Sequence, residues 1–427
     1  MCKSYLSKTL LICLTIFGVA DRAKAQSMPQ SGFLQSFLTR KTMTGDWNGG
    51  REKLAMIGLT FKGNYDGNFA DVFSGGKRQG NGYAQQLGIV AGVDMGQLFG
   101  LDGGTLTIGF NQRQGRSVSS DFMGNKLAVQ EAYGAGETLR LSELSYEQSF
   151  AKGVVDSKIG FYPMGNDFGV ITDGCDFQNV GFCAHPQNLP GSSGWSDSPT
   201  AKWGGRMKLF LTPSISIETG VYDVNPGYYE KANGLKISFS DSTGALIPLE
   251  IGYKGPVAGL AGDYKIGAYY DTSDAPSVTD NADNISGRYG FYAIGTQTLV
   301  SFGGVGRGLI ALGMVSYSDP MTALFQGSAL AGLIAQGPFS TRPTDFIDIG
   351  YTRAMINKRA VAAKEIENQE LTGLSTGEGV LEFGYGVQAT PWLLIHPNLQ
   401  YITDPGTFSY THIPNGWVAG VQVKATL

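Results

Sequence analysis

The sequence predicts an all-β fold, a transmembrane antiparallel β-barrel of about 16 strands. Three observations carry that prediction. From Leu59 onward, apolar and polar residues alternate with a period of two through one segment after another, as in strands with lipid on one face and a lumen on the other. The composition agrees: 62 of 427 residues are glycine, aromatics reach 11% and charged residues only 16%, a balance suited to half-apolar strands rather than to a soluble domain. Third, no run of about 18 apolar residues follows the N-terminal segment, so no membrane helix is available and strands are left to do the crossing. The net charge of −4 offers no electrostatic footprint for nucleic acid.

Taken in order, the chain opens on an export signal. Lys3 and Lys8 give a basic start, Leu10 to Ala20 an apolar core, and Ala23-Lys24-Ala25 the small residues of a cleavage site. Ile12 is too bulky for Cys13 to read as a lipoprotein site. Residues 1–25 are therefore expected to be a signal peptide cut after Ala25. Residues 26–58 follow as a periplasmic N-terminal segment with a short helix, and 59–427 as the barrel with its pore loops. In the N-terminal segment Asp46 is expected to cap a helix starting near Asn48, which would put Trp47 and Arg51 on one face.

The strands justify themselves by parity. Leu106, Ile108 and Phe110 alternate with Thr105, Thr107, Gly109, Asn111 and Arg113. Ile215, Ile217 and Val221 alternate with Ser216, Glu218 and Gly220; Leu249, Ile251 and Tyr253 with Glu250, Gly252 and Lys254; Leu381, Phe383 and Tyr385 with Glu382, Gly384 and Gly386. Asn225-Pro226-Gly227, Asp319-Pro320 and Thr403 to Gly406 read as turns between such runs, and Gly303 to Gly308 as a tight turn rather than a dinucleotide loop. Lys358 to Gly373 reads as a solvated loop, a short helix being the other reading. The last strand, Trp417 to Leu427, closes against the first, since an open edge in lipid would strand its N–H and C=O groups.

Cys2 and Cys13 leave with the signal, so Cys175 and Cys183, eight positions apart in an exported chain, are expected to form one local disulfide. The three histidines, His185, His396 and His412, lie far apart with no zinc spacing. No carboxylate pair is nominated for glycoside cleavage without distances. The expectation is a chain that is not an enzyme and uses no cofactor or metal.

At this point the chain resembles the carbohydrate-selective porins of the OprB family. The resemblance rests on Met43-Thr44-Gly45-Asp46-Trp47-Asn48-Gly49-Gly50-Arg51 with Leu54 and Gly58, on Cys175 to Cys183, and on Gly220 to Pro226. Pro391-Trp392, His396 to Ile402 and Asp404-Pro405-Gly406 complete it, in family order. It implies a 16-stranded barrel of the bacterial outer membrane, narrowed by inward loops, that passes sugars such as glucose by facilitated diffusion. Outer-membrane lipid and lipopolysaccharide are the implied surroundings and a homotrimer a possible assembly. Leu427 stands where such barrels usually end in an aromatic.

Sugar passage calls for aromatic faces against the ring and ionised groups against the hydroxyls. Arg113 has lumen parity, and the resemblance puts a pore-constricting arginine there. Arg206 and Lys208 share the face opposite Trp203, Met207 and Leu209, with Glu218, Glu143 and Glu147 as acidic partners; the plainer reading is an ionic ladder in the barrel wall. Trp195 is the candidate stacking platform, loop packing being the plainer alternative. Family relatives carry a second tryptophan at the place of Ser198. The rival readings are a less selective diffusion porin and a secreted all-β glycosidase or adhesin.

Overall fold

The computed structural model describes residues 32–171, 173–280 and 283–427. The expected signal peptide, with Cys2 and Cys13, lies outside them. The chain divides into two units, residues 1–40 and Lys41–Leu427. In the first, a helix spans Gly32–Thr39, and the Thr39 hydroxyl near its end donates to the Gln35 carbonyl at 2.9 Å.

The second unit is a closed barrel of sixteen strands among the described residues. They are β1 Leu59–Ser74, β2 Gly80–Asp94, β3 Gly104–Gly115, β4 Leu139–Phe150, β5 Val155–Tyr162, β6 Lys202–Phe210, β7 Ile215–Val224 and β8 Gly244–Val257. The circuit continues with β9 Leu260–Pro276, β10 Asn284–Ser301, β11 Gly308–Ser318, β12 Phe325–Gln336, β13 Phe346–Ile356, β14 Gly377–Thr390, β15 Leu393–Thr403 and β16 Gly416–Thr426. Each pairs antiparallel with its chain neighbours, and β1 pairs with β16, Phe69 lying opposite Val421. Closure leaves no unpaired edge, the condition for a sheet in lipid.

Parity decides which way each side chain points. Met207 is 55% exposed while its neighbour Arg206 is 9% exposed, so the apolar set faces outward and the charged set inward. The inner face is less polar than alternation alone implies. Tyr292, Val380 and Val418 point inward and are buried, packed with Leu127, Phe177, Phe182, Leu189 and Trp195 from loops 116–138 and 163–201. The molecule's core therefore sits inside the barrel, where two long loops fold into the lumen. Each fully buried apolar side chain there contributes roughly 1.5–3 kcal/mol.

A loop drawn into a lumen carries backbone N–H groups that need partners. Buried wall carboxylates supply them. Glu382 accepts from the amides of Gln178 and Asn179 at 2.7 and 2.9 Å, and Glu378 from those of Lys126 and Leu127 at 2.7 and 2.9 Å. Glu250 accepts from Gly169 at 2.7 Å, and Asp271 from Gly194 at 2.6 Å. The Cys175–Cys183 disulfide is formed across a Cα–Cα distance of 4.1 Å. Within its loop Phe177 and Phe182 stack at 4.3 Å.

Two local expectations are corrected. The helix after the first unit spans Gly50–Met56 with Gly49 at its N-cap and no side-chain cap, so Asp46 does not cap it. Trp47, Asn48 and Gly49 all take left-handed φ values, of 53°, 56° and 82°, and the chain turns before the helix can begin. Trp47 and Arg51 do meet, the guanidinium 4.3 Å from the ring centroid, but through that turn. Lys358 to Gly373 is not all loop: a helix spans Lys358–Glu367, with Asn357 accepting from the Arg359 amide at 2.9 Å and Ala360 and Val361 buried. An N-cap Asn followed by alanines suffices to start a helix once two residues find a buried surface.

Candidate functional site

Between the inward loops and the wall a cavity of about 850 Å³ remains open, lined among others by Gln86, Arg113, Glu131, Asp197, Tyr229 and Lys424. Arg113 comes from β3 and bridges three parts of it. Its Nε donates to Gln86 Oε1 of β2 at 2.9 Å, Nη1 to the Tyr133 carbonyl at 3.4 Å and Nη2 to the Ser198 carbonyl at 3.5 Å. The guanidinium thus ties the wall to both inward loops and leaves part of its surface in the cavity.

Charges of both signs are present. Lys424 of β16 lies 3.1 Å from Glu131 and 3.7 Å from Asp66, and it also donates to the Cys175 carbonyl. Asp197 lies 3.1 Å from His185, whose ring is fully buried against Trp195. Burial disfavours the charged His185 ring, but the neighbouring Asp197 charge outweighs it and holds the pKa above its ordinary value. Burial likewise disfavours ionised Asp197, and His185 with Arg113 more than offsets it, holding that carboxyl below its usual range. Neutral polar groups, the Gln86 amide and the Ser198 and Thr200 segment, complete the lining.

The remaining sequence candidates are elsewhere. Arg206 sits among Glu147 at 2.6 Å, Glu218 at 3.2 Å, Asp167 at 3.5 Å and Asp156, while Lys208 meets Glu218 at 3.0 Å. Glu143 pairs with Lys158 at 2.9 Å. These side chains face inward from β4 to β7, yet none of Glu143, Arg206, Lys208 and Glu218 lines the cavity. The side chains of Arg206 and Glu218 are 7% and 3% exposed, with no free face for a solute; the plainer reading, an ionic ladder in the wall, describes them. Trp195 is corrected outright. It is fully buried, its ring edge-on to Tyr269 and Tyr292 at 6.0 and 5.9 Å, so it packs the loop and offers no stacking face.

Asp348, Glu382 and His396 bring their ligand atoms within 4.8 Å of one another. Both Glu382 oxygens already hold loop amides, and His396 Nε2 is 2.8 Å from Asp348 Oδ1. The group serves as a loop anchor.

Sequence reasoning missed Gln86, Glu131, Asp197 and Tyr229 at the cavity. Lys424 stands between Val423 and Ala425, an alternation that puts it on the polar face of its strand without revealing what it meets. Loop residues carry no parity, and only the fold shows which of them turn inward.

Comparison with known proteins agrees with this geometry. A family model described as carbohydrate-selective porin, OprB family, matches residues 78–427. The chain is 31% identical over 418 residues to Porin B of Pseudomonas aeruginosa, covering 90% of this chain and 91% of that protein. The high-pH structure of Pseudomonas putida OprB superposes with a TM-score of 0.86 at 30% identity, covering 91% of this chain and 99% of that one. OmpF of Salmonella typhi, at 10% identity and a TM-score of 0.56 over 87% of this chain and 99% of that one, shares the fold.

Proposed function

The chain belongs to the OprB family of carbohydrate-selective porins, and from that premise we propose that it passes monosaccharides, glucose among them, by facilitated diffusion. It is an outer-membrane β-barrel porin, and sugars are its class of solute. The observation that supports the finer reading is the cavity at Arg113. A fixed guanidinium, Asp197, Glu131 and the Gln86 amide surround one space of about 850 Å³, within the size range of small-molecule sites. Donors and acceptors held at fixed positions can replace the water around sugar hydroxyls without preferring one net charge. In this reading Arg113 shapes the constriction, whereas Glu143, Arg206, Lys208 and Glu218 stiffen the wall. Passage is passive, with no bond made or broken in the solute.

We further propose a homotrimer joined through the outer face of β1 to β3. Tyr65, Gln85, Gln112 and Gln114 share that face, Tyr65 donating to Gln85 at 3.1 Å and Gln112 to Gln114 at 3.1 Å. Polar side chains are costly against lipid and are better covered by protein.

Liposome swelling with purified protein tests the sugar reading. Hexoses should enter faster than uncharged solutes of equal size, and Arg113→Ala should raise KCl conductance in planar bilayers while weakening that preference. Rates set by solute size alone would leave a general diffusion porin.

A further inference from the structure

With Trp195 buried, an aromatic face for a sugar ring has to come from another residue of the cavity. Trp392 and Phe325 border it but are 7% and 3% exposed, whereas Tyr229 is 40% exposed. Tyr65 belongs to the outer face, its hydroxyl turned toward Tyr83 and Gln85, and Tyr133 is half-buried. We infer that Tyr229 presents its ring to the passing sugar and is the specificity-determining aromatic of this channel, an inference that rests on the carbohydrate-porin reading.

Tyr229 lies in loop 225–243, just past the Asn225-Pro226-Gly227 turn, where Asn225 Oδ1 accepts from the Gly227 amide at 3.0 Å. The two tyrosines of this loop part company at the barrel rim. Tyr228 packs edge-on against Phe161 at 5.2 Å, a residue sharing the outward face of β5 with the exposed Ile159. Tyr229 goes to the lumen side, where its hydroxyl donates to the Trp195 carbonyl at 2.5 Å. Arg140 clamps the main chain between them: Nη1 donates to the Tyr228 carbonyl at 2.6 Å and Nη2 to those of Tyr229 and Glu230, both at 3.1 Å. Its Nε holds the Ala135 carbonyl at 2.6 Å, which joins loop 116–138 to the same clamp.

The ring is therefore fixed at both ends before any solute arrives, and little rotamer entropy is left to lose on contact. Because the hydroxyl is spent on Trp195, what Tyr229 offers the cavity is its π face. Asp197, Ser198 and Thr200 line the same cavity. A pyranose has an apolar C–H face and a rim of hydroxyls, so an aromatic plane beside charged and polar groups matches both at once.

Single-channel recording with the full chain in planar bilayers tests this, using glucose and sorbitol as probes. Sorbitol carries hydroxyls like those of glucose on an open chain with no ring face. The parent should show saturable, glucose-dependent block of the KCl current. Tyr229→Ala should still conduct KCl but need about tenfold more glucose for half-block, the loss of one stacking contact, while its response to sorbitol follows the parent's. Tyr229→Phe keeps the ring and loses only the anchor, so its half-block should stay within about threefold of the parent's. Three results would overturn the inference: an Ala variant within about twofold of the parent, equal loss for glucose and sorbitol, or a Phe variant as weak as Ala. A parent with no saturable glucose block would instead bring down the carbohydrate reading on which the inference stands.

Discussion

His185 and Asp197 show how a buried ring and a cavity-lining carboxylate set the geometry of the cavity wall. Asp197 lies between His185 and the Arg113 side of the cavity, and the next residue, Ser198, offers its carbonyl to Arg113. The raised His185 pKa means that the folded protein holds this proton more tightly than the unfolded chain. The stabilisation is then complete below the ordinary value of 6.5 and is lost as pH climbs through the raised one. Asp197, with its pKa lowered, adds stability above the ordinary 3.8 that is lost as pH falls through the lowered value. His185→Ala should accordingly speed limited proteolysis of the 185–197 segment near pH 6, and the difference from the parent should shrink as pH climbs through the raised His185 value. An equal difference across that range would mean the ring acts through packing alone.

At the scale of elements, the inward loops are held by what the strands aim at them. Glu382 sits in β14 with both oxygens engaged by amides of the disulfide loop. Truncating it strands two buried N–H donors, at a cost of about 1–3 kcal/mol each. Glu382→Ala should expose residues 175–183 to protease while the folded band in SDS survives, since the sixteen-strand ladder is untouched. Protease resistance equal to the parent's would show that the disulfide, contributing roughly 2–3 kcal/mol on the chain-entropy account, holds that loop without help. The Gly50–Met56 helix works differently. Arg51, in its first turn, donates to the main-chain oxygens of Phe61 at 3.1 Å and Leu427 at 3.3 Å, and the Met43 amide to that of Thr426 at 2.7 Å. The segment thus brackets the junction of β1 and β16 where the circle closes.

For the whole molecule, closure removes every strand edge among the described residues, and the outward face is mainly apolar with polar side chains set into it. Those on β1 to β3 are covered if copies of the chain associate there. All copies insert into the membrane in one orientation, so the association is a closed ring about an axis normal to the bilayer. Cross-linking in native outer membranes should yield a three-chain species. Gln85→Leu together with Gln114→Leu should shift it toward single chains, and an unchanged three-chain yield would place the contact on another face. Recovery of single chains alone from the parent would end the trimer reading.

The sequence by itself determined the barrel. Alternation with period two is a one-dimensional signal, and a closed circuit of antiparallel neighbours needs no long-range information beyond it; Met207 outward and Arg206 inward follow from parity alone. The opening motif, the disulfide segment and the Pro391-Trp392 region likewise carried the family resemblance as strings. What only the tertiary structure decided was the interior. Whether Trp195 lies open or buried depends on how loop 163–201 packs against Tyr269 and Tyr292. Tyr229 faces the cavity because Arg140, about ninety positions earlier in the chain, clamps its loop. Loops have no period to read, and their paths are set by partners distant in sequence, buried carboxylates above all. Parity put Glu250 and Glu382 on the inner face; it could not say that they would hold the loops that narrow the pore.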